Sequence, residues 1–209
     1  VNTEQLHFDA YIHMCRARGF DLNWDFTRFC KAAHFESTGL RDAIYAEFPS
    51  LYAQEPNWDV LYAEKKQAYL NCLKTGKLQL MPGVETLLIA LEKAGIKRCV
   101  VTNSLKEQID FIKAGLPVLQ TIPHWITRES YSRPKPNPDS YLKALELFKE
   151  TGDRIIGFED TSRGLRALKD AGSDVNVLVC PLEHPQLETI PFPDFVHFTS
   201  FEEIPESFQ

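Results

Sequence analysis

The chain has 209 residues, 44% hydrophobic and 25% charged, enough for one good core with room for a small second domain. That composition excludes a disordered or fibrous polymer. Its 29 acidic and 23 basic residues leave a net charge of −6 and no basic stripe, so no nucleic-acid partner is expected, whereas a small anionic ligand needs only a local positive pocket.

The sequence opens Val1-Asn2-Thr3-Glu4, without an initiator methionine, and passes at once into a helical pattern. Leu6, Ala10, His13, Met14 and Ala17 recur at helix spacing, and Gly19 is placed to end that helix. Further helices are predicted over 24–33, 38–48 and 58–75, the last with Leu61, Lys65, Ala68, Tyr69 and Cys72 on one face and Gly76 as its stop. No convincing strand occurs before about residue 77. From Met81 the pattern alternates. Pro82-Gly83-Val84 opens a helix, with the proline in its first turn, that runs to Gly95. There follow an apolar strand over 96–101, a helix over 105–114, a short extended piece at Trp125-Ile126 and a helix over 138–149. A strand over 154–158, a helix over 162–171 ending at Gly172 and a strand over 175–179 complete the alternation. Short apolar strands separated by helices predict a doubly wound parallel α/β sheet over 79–209, preceded by a helical module over 1–78.

The five cysteines are odd in number and form no CxxC pair, which points to a reducing compartment, and the cytoplasm is the expected location. No apolar run reaches the ~20 residues of a membrane span, so no membrane partner is expected. No signal peptide is visible.

In such a sheet ligands bind at the carboxyl ends of the strands. Three runs fall there. Thr102-Asn103-Ser104 offers hydroxyls, an amide and backbone N–H groups to an anion, the plain alternative being a helix N-cap. In Ser132-Arg133-Pro134-Lys135-Pro136-Asn137-Pro138, three prolines in five residues stiffen the loop that carries Lys135. A fixed lysine suits a phosphate or a carboxylate cluster; the alternative is a surface lysine in a turn. Glu159-Asp160 places two carboxylates at the end of an apolar strand, where mutual repulsion and desolvation are relieved by a hard cation such as Mg²⁺. The alternative is that Asp160 caps the next helix and Glu159 is solvated.

With these runs in order, the sequence resembles the haloacid dehalogenase-like (HAD) superfamily, and within it the helical-cap branch of β-phosphoglucomutase-like and phosphoglycolate phosphatase-like enzymes. The matching stretches are VVTNS (100–104), SRPKPNPDSYLKAL (132–145) and IIGFEDTSRGLRALKDAG (155–172). The resemblance implies that 1–78 is a cap and 79–209 the Rossmannoid core. It implies that Thr102, Asn103, Ser104 and Lys135 bind the substrate phosphate, with Thr102 and Lys135 in catalytic roles and Lys135 also offsetting the charge of the carboxylate nucleophile, that Asp160 ligates Mg²⁺, and that Glu159 assists directly or through water. Residues 1–7 resemble the stretch just after the family's first motif, D-x-D-G, whose first aspartate is the nucleophile and whose second is the general acid/base. That motif is absent from residues 1–209, and Asp9, Asp21 and Asp25 lie in the helical module. The resemblance therefore implies that a central first strand is missing, leaving a slot in the sheet, and that this stretch alone cannot turn over phosphate esters. In the cap it singles out His7 and Lys65 for substrate binding, residues that occur in phosphomutases and in plain phosphatases alike, and Arg41 with His34, Glu36, Ser37 and Thr38 at a helix junction, the alternative being a plain polar junction. The activity implied is a Mg²⁺-dependent phosphohydrolase acting on a small phosphorylated metabolite, as a monomer. A sugar phosphomutase and a catalytically inactive ligand-binding relative are the alternatives.

Overall fold

The helical periodicity of the first third of the sequence is realised in five helices: α1 (Glu4–Ala17), α2 (Phe26–Phe35), α3 (Gly39–Glu47), α4 (Pro49–Gln54) and α5 (Trp58–Thr75). The computed structural model describes residues 1, 3–35 and 39–205, which divide into two units, Val1–Leu78 and Gln79–Gln209. In the first unit α5 begins where Asn57 accepts a hydrogen bond from Asp59 N, and Gly76 follows its last turn. α1 packs along α5, and Phe8, Tyr11, Met14, Cys15 and Leu61 form the centre of an aromatic-rich core. Phe8 stacks on Phe29 with ring centroids 4.8 Å apart. α2 starts two residues later than its periodicity predicts, because the Asp25 carboxylate accepts from Arg28 N at 2.7 Å and so marks the helix entry. The helix predicted over 38–48 stops at Glu47, and Pro49, a residue suited to a first turn, starts the unforeseen α4.

The second unit holds α6 (Val84–Lys93), β1 (Cys99–Val101), α7 (Lys106–Gly115), β2 (His124–Ile126), α8 (Asp139–Phe148), β3 (Ile156–Glu159), α9 (Ser162–Asp170), β4 (Val175–Val179) and β5 (Val196–Phe198). Every strand pairing is parallel, β1 with β2 and β3–β4–β5 in that order. Among the described residues no ladder joins β1 to β3. Val177, Leu178 and Val179 in β4 are fully buried, as befits a strand covered on both sides. Gly157 in β3 lets α9 sit close: a Cβ there would lie 2.3 Å from the Leu168 methyls.

Three boundaries correct the sequence reading. β1 begins at Cys99, not 96, because Ile96 is about half exposed and the Arg98 side chain turns away to donate to Leu88 O and Thr121 O. α6 begins after Gly83, whose φ of +82° places it outside the helix, so Pro82 is not in the first turn. β3 starts at Ile156 rather than 154 and keeps Glu159 within its ladder, opposite Leu178. Among the described residues no helix is long and apolar enough to cross a membrane.

Candidate active site

β1 delivers Thr102-Asn103-Ser104 to the carboxyl end of its sheet. Thr102 N still bonds Ile126 O at 2.9 Å, as the ladder requires, and Ser104 N then donates to Thr102 Oγ1 at 3.1 Å, folding the segment into a tight turn. The N-cap of α7 is Leu105, whose N–H is taken by the Gln108 side chain. None of the three polar residues is therefore spent on capping. The Tyr131 hydroxyl lies 2.9 Å from Thr102 O and 2.6 Å from Asn103 Oδ1, and so pins the segment from outside.

Lys135 reaches the same place from the proline-rich loop, across a cis Lys135–Pro136 peptide. Its backbone N–H donates to Asn103 Oδ1 at 3.3 Å. Its ammonium donates to Val101 O at 2.9 Å and to Glu159 Oε1 at 2.5 Å, and the Tyr141 hydroxyl oxygen is 3.2 Å away. The side chain is only 10% exposed, so this is not a solvated turn lysine. Beside it, Arg133 is occupied by Asp139, which accepts from both its backbone and its guanidinium.

Glu159 is buried at the end of β3. Its Oε1 accepts from Lys135 and from the Tyr141 hydroxyl, while Oε2 lies against Gly164, where a Cβ would be 1.9 Å away. Burial first, and the Glu159 charge second, push the Tyr141 phenol well above its usual range, so it stays protonated as a donor. The capping alternative for Asp160 is not realised, since the side chain that caps α9 is Thr161, accepting from Gly164 N at 3.1 Å. Asp160 is exposed, and its peptide is held by Gln186, whose Nε2 donates to Asp160 O and whose Oε1 accepts from Ser162 N.

Of the two adjacent carboxylates, Glu159 is thus engaged by Lys135 and Tyr141, and Asp160 is the one exposed at the end of the strand.

In the helical unit, His7 and Lys65 come together. Lys65 is 5% exposed, and its Nζ lies 2.7 Å from His7 Nδ1 and 4.9–5.9 Å from the rings of Tyr11, Tyr69 and Tyr62. His7 stacks on Tyr69 at 4.0 Å. Burial lowers the Lys65 ammonium from 10.5 to about 8. Arg41 instead pairs with Asp42 at 2.8 Å and lines an open cleft of about 470 Å³ with Tyr45, Tyr52 and Trp58. Glu36, Ser37 and Thr38 lie outside the described residues, as does the His34 side chain.

Four contributors were missed by the sequence reading: Tyr131, Tyr141, Gly164 and Gln186. Tyr141 lies inside the 132–145 run and Gly164 inside 155–172, so their neighbourhood was visible. Their tasks depend on pairings between elements, and no local pattern encodes those. Gln186, fully buried yet far along the chain from Asp160, left no signal at all.

A family model of haloacid dehalogenase-like hydrolases matches residues 25–172. Protein CbbY of Rhodobacter capsulatus is 24% identical over 192 residues, covering 88% of this chain and 82% of that protein. A phosphorylated carbohydrates phosphatase of Thermotoga maritima is 25% identical over 173 residues, covering 82% of this chain and 76% of the relative. The crystal structure of β-phosphoglucomutase from Clostridium difficile superimposes with a TM-score of 0.73 at 20% identity, covering 99% of this chain and 88% of that one, a likeness of fold. With the family model spanning most of its length, the chain belongs to the haloacid dehalogenase-like hydrolases, an enzyme family.

Proposed function

We propose that the protein is a Mg²⁺-dependent phosphohydrolase acting on a small phosphorylated metabolite such as a sugar phosphate. The observation that carries this reading is the placement of Lys135, a largely buried ammonium fixed between the ends of β1 and β3 beside the Thr102–Ser104 turn, none of whose side chains caps α7. A phosphate seated there would meet the Thr102 and Ser104 hydroxyls and one fixed positive charge. Asp160 would hold Mg²⁺ and Glu159 would stand behind it. The bound ion would supply charge neutralisation for the phosphoryl oxygens. The attacking carboxylate is assigned to the first aspartate of a D-x-D-G motif, which residues 1–209 do not contain, so activity is to be assayed on protein that carries it.

A phosphomutase is the second reading. It is supported by the match to β-phosphoglucomutase of Bacillus subtilis, 20% identical over 172 residues; the Lys65–His7 pair is compatible with either reaction.

The test is a panel of sugar and polyol phosphates with Mg²⁺ or with EDTA, followed for both inorganic phosphate and isomerised sugar phosphate. Mg²⁺-dependent phosphate release supports the first reading, and isomerisation without release the second. Neither activity, together with tight binding of a phosphorylated ligand, would make the protein a non-catalytic binder.

A further inference from the structure

We infer that Tyr141 is the positioning residue of this site: its hydroxyl holds the Glu159 carboxylate and the Lys135 ammonium in one fixed arrangement. The inference rests on the phosphate-handling reading above and adds a residue to it. Three observations carry it.

The hydroxyl donates to Glu159 Oε1, and its oxygen lies 3.2 Å from Lys135 Nζ, so one group touches both charges. The ring of the same residue lies beneath Nζ, with its centroid 4.7 Å away, and adds a cation–π contact. Glu159 also has nowhere else to go, because its other oxygen rests against the Cα of Gly164. A long, flexible lysine would ordinarily sample several rotamers at a strand end. Here it is confined by Val101 O, Glu159 and Tyr141 together, and Tyr141 is hydrogen-bonded to both members of the charged pair. Tyr141 sits in the first turn of α8, so the position of that helix is transmitted directly to the two charges.

The test is Tyr141→Phe, which keeps the ring and removes only the hydroxyl. The first readout needs neither metal nor substrate: the rate at which Lys135 is acetylated by an activated ester, measured by peptide mass spectrometry. The second is the dissociation constant for inorganic phosphate in the presence of Mg²⁺. Loss of one hydrogen bond to a charged group predicts roughly tenfold faster acetylation of Lys135, with exposed lysines such as Lys149 unchanged. Phosphate affinity should fall by a similar factor. Glu159→Gln should also release Lys135, and the double variant should add less than about twofold to it, because both changes break one arrangement.

Unchanged labelling of Lys135 in Tyr141→Phe overturns the inference. So does faster labelling of lysines throughout the chain, which would mark a general loss of structure. Multiplicative effects in the double variant overturn it as well, since the hydroxyl would then act apart from Glu159. If Lys135 is released as expected but the parent protein binds no phosphate, the positioning role stands and the phosphatase reading fails.

Discussion

Gly164→Ala is the sharpest single test of how this site is built. The residue occupies the first turn of α9, where alanine ordinarily stabilises a helix by about 1 kcal/mol over glycine. At this position, however, the new methyl would lie 1.9 Å from Glu159 Oε2 and 2.1 Å from its Cδ. A side-chain end can usually step aside at little cost. This one is held on its other oxygen by Lys135 and Tyr141, so moving it breaks two hydrogen bonds to a buried charge and leaves an ammonium half-partnered. Such a loss costs ~3–5 kcal/mol. Net of the helix gain, the variant should be ~2–4 kcal/mol less stable, a fall of roughly 5–15 °C in Tm for a chain of this size. Differential scanning calorimetry of parent and variant measures this directly, and a Mn²⁺ titration alongside should show weaker binding of the divalent ion. A variant as stable as the parent, or more so, would mean that Glu159 is not pinned and would remove the basis for treating these three side chains as one unit.

Lys65 predicts a pH dependence. Burial lowers it from 10.5 to about 8, so between those values this group holds more proton in the unfolded chain and its contribution to stability should rise with pH, by ~3 kcal/mol over the whole window. His7 and Tyr11 from α1 and Tyr62, Tyr69 and Cys72 from α5 face the amine. Tyr69, pushed up to about 12 by burial, acts in the opposite sense only above pH 10, and the buried Cys15 and Cys30 thiols above pH 9. Lys65→Met shares those opposing groups, so urea midpoints of parent and variant should converge as pH rises from 7 to 10, and a constant difference would refute the assignment. Gly83→Ala should cost at least ~3 kcal/mol, because φ is +82° and the new Cβ would lie 2.4 Å from backbone atoms of Phe201 and Glu202, which cannot rotate away. A melt within 2 °C of the parent, against the ~6 °C or more expected, would contradict it.

What could be read from sequence depended on how local its cause was. α5 and β4 have the bounds that the residues predict, since Asn57 and Gly76 bracket the one and a dense apolar run defines the other. β5 was invisible: Val196-His197-Phe198 is extended because it pairs with Val177-Leu178-Val179, and that information lies in the partner. The polar runs at the ends of β1 and β3 were legible because a parallel sheet presents its strand ends to a ligand whatever the details. That Lys135 would be closed in by Tyr141, and the Asp160 peptide by Gln186, was not legible, because each contact joins elements whose relative placement arises only on packing.

Lys135 has a consequence for how this protein is to be dissected. Its ammonium grips a carbonyl at the end of β1 and a carboxylate at the end of β3, and β1 and β3 share no ladder among the described residues. One cation thus rivets two sheets at the edge where chemistry is expected. Deleting it would withdraw a charge from the proposed phosphate site and a fastening from the scaffold in the same stroke, so a dead Lys135→Ala enzyme would not by itself reveal which loss was fatal.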